Sequence, residues 1–126
     1  MKSQGYSLVE IMVVVAIIGI IAAVAYPSYQ GYMRDTYDGQ AVADLKTCAL
    51  ALDRYYSNGF TYLGATVGTG NDDTCYQYSP TDTGASDARY EISFETLTRN
   101  AYTIRATPTG QGSCIEITQD GSQTLC

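Results

Sequence analysis

The chain of 126 residues contains no histidine, no tryptophan and only three prolines. Without histidine it lacks the commonest general base and the commonest metal ligand near neutral pH. Basic side chains are also scarce, seven against thirteen acidic, for a formal net charge of −6. Such a field repels nucleic acid and anionic lipid unless a local patch reverses it. Lys46, Arg54, Arg89, Arg99 and Arg105 are scattered through the acidic chain, which argues against nucleic acid as a partner. The four cysteines (48, 75, 114 and 126) include no Cys-x-x-Cys pair, so zinc and dithiol redox chemistry find no suitable spacing. Asp72 and Asp73 lack the alternating acidic loop of a calcium site and read as a solvated turn. No Walker loop, nucleophile elbow or apolar carboxylate pair is present. The expectation is a protein that is not an enzyme, with no catalytic residues, no cofactor and no metal.

What the sequence has in plenty lies at its start. From Leu8 to Tyr26 run nineteen residues whose only charge is Glu10. At about 1.5 Å per residue this crosses a bilayer core. A secretory signal peptide fits poorly, because the polar, glycine-containing junction precedes the apolar run and only Lys2 is basic. A carboxylate inside such a run costs a few kcal/mol and marks Glu10 as a functional candidate in need of a partner. The run is apolar all round (Val13-Val14-Val15, Ile17-Ile18, Ile20-Ile21, Ala22-Ala23), the pattern of a helix buried on every side. Gly19 and Pro27 weaken it but are tolerated as kinks in a membrane or bundle.

Gly5-Tyr6-Ser7-Leu8-Val9-Glu10, placed against this run and followed by Pro27, resembles the class III signal of type IV pilins and pseudopilins. The family more often has Phe where Tyr6 stands. The resemblance implies cleavage after Gly5 by a membrane-embedded prepilin peptidase, which also N-methylates the new first residue, Tyr6. It also implies that the apolar helix stays in the mature protein and becomes the packed core of a filament. Glu10 lies four residues beyond the freed ammonium, about one helical turn. On assembly it would meet the ammonium of a neighbouring subunit, since a buried charge is tolerable only when paired. With Lys2 gone, six basic side chains face thirteen acidic ones, a balance of −7.

Beyond Pro27 the periodicity changes. Val42, Leu45, Ala49, Leu52 and Tyr56 recur at steps of three and four, which predicts an amphipathic continuation from about Tyr29 to Tyr56, ending before Asn58-Gly59. The whole helix would hold about fifty residues. Asp44, Thr47 and Arg54 fall on its polar side, near Asp35, Asp38 and Lys46. Tyr26, Tyr29, Tyr32 and Tyr37 cluster where an interfacial aromatic belt belongs. Residues 57–89, rich in Gly, Thr, Asp and Ser, predict a long loop with a short strand at 75–78.

Tyr90, Ile92 and Phe94 alternate with polar residues, as do Tyr102, Ile104 and Ala106, around a turn at Thr98-Arg99-Asn100. Glu91 or Glu95 would face Arg105 across this hairpin. Ile115 and Ile117 begin another strand, which Asp120-Gly121 turns back on Ser122–Cys126. That turn brings positions 114 and 126 nearly opposite and makes Cys114–Cys126 the first expected disulfide, with Cys48–Cys75 left by elimination. Four cysteines allow three pairings, and the others stay open at this stage. The C-terminal loop resembles the family's disulfide region, and the last forty residues resemble the PilE-like group of minor pilins.

The expected fold class is α+β, a long N-terminal helix packed on an antiparallel sheet of three to four strands. The expected domains are a leader at 1–5, a membrane and filament-core half at 6–28, and a globular head at 29–126. The resemblance implies a structural, minor subunit of a type IV pilus that supports pilus biogenesis, adhesion or twitching motility. It would be held in the bacterial inner membrane and then built into an extracellular filament. Its partners would be other pilins, the prepilin peptidase and N-methyltransferase, and the inner-membrane assembly platform. The alternatives are a DNA-uptake pilin and a type II secretion pseudopilin, which shares everything up to Pro27.

Overall fold

The computed structural model describes residues 5–126. Of the leader expected at 1–5, only Gly5 lies among the described residues. One helix, α1 (Leu8–Gly59), is followed by seven strands: β1 (Val67–Gly68), β2 (Cys75–Tyr76), β3 (Tyr78–Ser79), β4 (Tyr90–Leu97), β5 (Tyr102–Pro108), β6 (Ile115–Thr118) and β7 (Gln123–Leu125). The chain divides into two compact units between Thr36 and Tyr37.

In the first unit Ser7 caps α1. Its hydroxyl accepts the Val9 N–H at 3.3 Å and its carbonyl accepts the Ile11 N–H at 3.2 Å, which satisfies donors that the first turn leaves unpaired. Every residue from Gly5 to Tyr32 is exposed. The segment is long and apolar enough to cross a membrane. Pro27 lies inside α1, where it has no N–H to give the Ala23 carbonyl.

In the second unit the continuing helix buries Ala41, Leu45, Cys48 and Leu52 against the sheet, while Val42, Ala49, Tyr55 and Tyr56 are half-buried. The buried stripe therefore lies toward Ala41 and Cys48, with Val42 and Ala49 at its edge. The helix also runs on to Gly59 rather than stopping at Tyr56. The left-handed residue that ends it is Phe60 (φ 54°), whose N–H donates to the Tyr56 carbonyl at 2.6 Å. A glycine next door is thus not the cap.

The main sheet is an antiparallel meander in the order β3-β4-β5-β6-β7. It has five strands rather than three to four, because Tyr78, the last residue of the short strand expected at 75–78, and Ser79 beyond it pair with Glu91 and Tyr90. The strand expected at 75–78 is split. Cys75–Tyr76 pairs instead with Val67–Gly68 in a small parallel ladder. Alternation sends Tyr90, Ile92, Tyr102, Ile104, Ala106, Ile115 and Ile117 into the core. Fully burying each large apolar side chain contributes about 1.5–3 kcal/mol, so this helix-on-sheet seam dominates the head's stability.

Candidate functional site

The residues singled out for processing and assembly all lie on the uncovered unit. Gly5 and Tyr6 precede the helix, with Tyr6 80% exposed. Glu10 sits in the first turn of α1, where the helix dipole favours a carboxylate. Ser7 and Glu10 have capping-box spacing, a signal legible in Ser7-Leu8-Val9-Glu10 that the sequence reading did not use. The serine half of the box forms, whereas the Glu10 carboxylate takes no hydrogen bond or ion pair among the described residues. The first turn therefore presents an uncommitted carboxylate on an apolar helix. That arrangement suits pairing with a cation brought by another chain.

The head is held by covalent and polar staples. Cys48 on α1 is bonded to Cys75 of β2, with Cα atoms 4.9 Å apart, and Cys114 to Cys126, with Cα atoms 5.3 Å apart. They close segments of 27 and 12 residues, each worth roughly 3 kcal/mol in the chain-entropy account. Asp44, assigned to the polar side of the helix, accepts hydrogen bonds from Ser79 Oγ at 2.5 Å and Thr81 Oγ1 at 2.9 Å. Asp38 accepts the Tyr90 hydroxyl at 2.5 Å, and Arg89 lies over the Tyr37 ring at 4.8 Å. No sequence signal marked Asp38 or Asp44, since their partners lie 52 and 35 residues away.

Burial, reinforced by the Asp38 carboxylate, pushes the Tyr90 hydroxyl up to about 12. Burial beside Asp53 and Tyr62 does the same for Tyr102. Tyr62 lies between Tyr56 and Tyr102, with ring centroids at 4.7 and 4.9 Å. Across the outer face, Arg105 donates to Glu116 at 2.5 Å and to Glu95 at 2.8 Å. The register places Ser93, not a glutamate, opposite Arg105. A bulge between Phe94 and Thr96 lies at Glu95, while Glu91 takes the Gln77 amide at 2.9 Å. Hydrogen bonding to Glu116 holds the guanidinium above its usual value.

An apolar helix half with one carboxylate in its capped first turn, joined in sequence to a stapled helix-on-meander head, defines a type IV pilin. A family model described as "Type IV minor pilin ComP, DNA uptake sequence receptor" matches residues 27–118, and a prokaryotic N-terminal methylation motif matches residues 1–26. The chain belongs to this family of type IV minor pilins. Its fold is similar to that of the non-core minor pilin PilV of Neisseria meningitidis, with a TM-score of 0.58 at 14% identity over 75% of this chain and 88% of that one. Among curated proteins no sequence matches. The methylation motif and the apolar helix fit membrane anchoring and pilus assembly.

Proposed function

We propose that this minor pilin is cut after Gly5, methylated on Tyr6 and built into an extracellular filament through its apolar helix half. The other pilins and the inner-membrane assembly platform are its partners, and the prepilin peptidase, which is also the N-methyltransferase, is its processing enzyme. The observation that carries the reading is the uncommitted Glu10 carboxylate in the capped first turn of a helix exposed from Gly5 to Tyr32. In lipid that surface is satisfied by acyl chains. In a filament it is satisfied by neighbouring helices, with Glu10 set against the next subunit's Tyr6 ammonium as the register device. Residues 1–5 act as leader, 6–28 as the membrane and filament-core half, and 29–126 as the head.

Mass spectrometry of sheared, purified filaments tests this. A trace of chain beginning at methylated Tyr6 is expected beside a major pilin, and processed protein held wholly in the membrane would favour the secretion pseudopilin instead. Glu10→Ala should leave the protein in the membrane while its incorporation falls at least tenfold. Incorporation at the normal level would sink the pairing.

A second reading, receptor for a DNA uptake sequence, is favoured by the description of the matching family. Charge weighs against it, since Arg105 is tied to two carboxylates and Arg89 to a tyrosine ring. Titrating the full chain with labelled duplex DNA at low and high salt discriminates the two. Binding of one duplex sequence that persists against excess unrelated duplex would establish the receptor, whereas binding equal for all sequences that weakens steeply with salt is phosphate attraction alone.

A further inference from the structure

A cleft of about 310 Å³ opens on the head beside β2 and β3, lined by Thr69, Tyr76, Tyr78, Asp82, Thr83 and Gly84. Its volume is at the small end of the roughly 300–1,000 Å³ range of small-molecule sites. Tyr76 and Tyr78 flank a bend at Gln77, where the chain passes from β2 to β3, and all three residues line the cleft. Gln77, between them, spends its amide on Glu91. The facing wall is the 79–84 turn, and it is held firmly. Asp44 accepts from Ser79 and Thr81, the Pro80 carbonyl accepts the Thr83 N–H at 3.2 Å and hydroxyl at 2.6 Å, and the Gly84 carbonyl accepts the N–H groups of Asp87 and Ala88.

At the tip of this turn Asp82 is left-handed, with φ 71°. A non-glycine residue is uncommon there, and such residues concentrate at functional sites. Among the described residues the Asp82 carboxylate and the hydroxyls of Thr69, Tyr76 and Tyr78 take part in no hydrogen bond or ion pair. A strained acid, a threonine hydroxyl and two tyrosines with free hydroxyls are thus set around one preorganised cleft.

We propose that this cleft binds a neutral saccharide, one or two pyranose rings in length. The C–H face of a pyranose lies on a tyrosine ring, whose π-face is electron-rich. Two adjacent sugar hydroxyls donate to the Asp82 carboxylate, the stronger kind of hydrogen bond because the acceptor is charged. The tyrosine and threonine hydroxyls complete the orientation. Anionic ligands are disfavoured by Asp82 and by a net charge of −6.

The test uses the full chain in lauryldimethylamine-oxide micelles, a detergent free of sugar. Saturation-transfer NMR is recorded with methyl β-galactoside, methyl α-mannoside, N-acetylglucosamine and lactose, with sialyllactose as the anionic comparison. At least one neutral sugar should receive saturation from the tyrosine rings, with a dissociation constant in the millimolar range or below. Asp82→Gly should weaken it at least tenfold without loss of thermal stability, since glycine is at ease at this φ. Tyr76→Ala should do the same, and Asp87→Asn should change nothing. The proposal is overturned by transfer to none of the neutral sugars, by binding unaltered in both cleft variants, or by sialyllactose binding more tightly than lactose. None of these outcomes bears on Glu10 or on assembly.

Discussion

The two ends of α1 obey the same helical geometry and answer to different surroundings. From Leu8 to Tyr32 no residue is buried, and side chains such as Ile20 and Val24 are exposed to 70% and 71%. From Ala41 to Leu52 every third or fourth residue is buried outright. The first end is apolar all round and needs lipid or other helices to cover it. The second is apolar along one stripe and finds its cover in its own chain. The contrast teaches that helix-forming sequence is nearly neutral here, and that the width of the apolar surface decides what each end is for.

The sharpest way to break the comparison is to make the same kind of truncation at both ends. Leu52 is fully buried, whereas Ile18 is 59% exposed. Leu52→Ala should cost the head about 2–5 kcal/mol, lowering its melting temperature on the order of 10 °C or more. Ile18→Ala should leave that melting temperature within a few degrees and lower filament incorporation instead. The near-UV circular dichroism of the full chain in micelles reads the head selectively, because Tyr62, Tyr90 and Tyr102 are buried there. Equal shifts for the two variants would abolish the distinction.

The covalent staple comes next in size. Replacing Cys48 and Cys75 together by alanine should destabilise the head by roughly 3 kcal/mol, with the apolar helix half unaffected. Reduction of the wild-type chain breaks Cys114–Cys126 as well and should lower the melting temperature at least as far. A double variant as stable as wild type would show that the bond from α1 to β2 adds nothing beyond the packing of Leu45 and Leu52.

Alkaline pH sharpens the comparison through the head's tyrosines. Tyr90 and Tyr102 are raised to about 12 in the folded chain from an ordinary value of 10. A raised value means that the neutral hydroxyl is favoured by folding. The stability this confers is whole below pH 10 and is lost as pH climbs through about 12. Each group contributes on the order of 2 kcal/mol to that loss. Tyr90→Phe should remove about half of the alkaline destabilisation while also losing the hydrogen bond to Asp38, measured as melting temperature between pH 9 and pH 11.5. An unchanged pH profile in the variant would show that Tyr90 does not titrate in this window.

Periodicity carried far in this chain because most of its elements bury one face. Tyr90 through Phe94, Tyr102 through Ala106, and Ile115 with Ile117 all announce their strands by alternation, and the apolar run with Glu10 announces the helix and the family. What escaped depended on long-range partners. The short strand expected at 75–78 reaches Tyr78 but not Ser79, and nothing local separates Cys75-Tyr76 from Tyr78-Ser79, because two residues cannot show a period. Tyr78 and Ser79 become β3 only because Glu91 and Tyr90 accept them and Asp44 holds Ser79. The helix end moved three residues because Phe60, a poor left-handed residue by intrinsic preference, took the capping position beside an available glycine. Arg105 was matched to the hairpin's glutamates, yet its shortest bond goes to Glu116 of the next strand, a partner visible only once β5 and β6 are in register.

The smallest expected effect lies at the far end of the sheet, where β7 has no buried residue and is held by its ladder to β6, a turn and a disulfide. Asp120 in that turn accepts hydrogen bonds from the Thr118 hydroxyl and from the Ser122 N–H, the latter at 2.9 Å. The Thr118 bond first, and the Ser122 bonds after it, hold the carboxyl down to about 2. A depressed value means that folding favours the carboxylate. The turn's support is therefore present above the ordinary value near 4 and is lost as pH falls toward 2. Amide resonances of Ser122 should titrate with a midpoint near pH 2 in the wild type and stay flat in Asp120→Asn. The Cys126 N–H, donating to the Cys114 carbonyl at 3.1 Å, should stay protected in both, because the disulfide outlasts the turn. A midpoint near 4 would mean that the carboxylate is solvated, and that the β6 ladder and Cys114–Cys126 hold β7 without help from the turn.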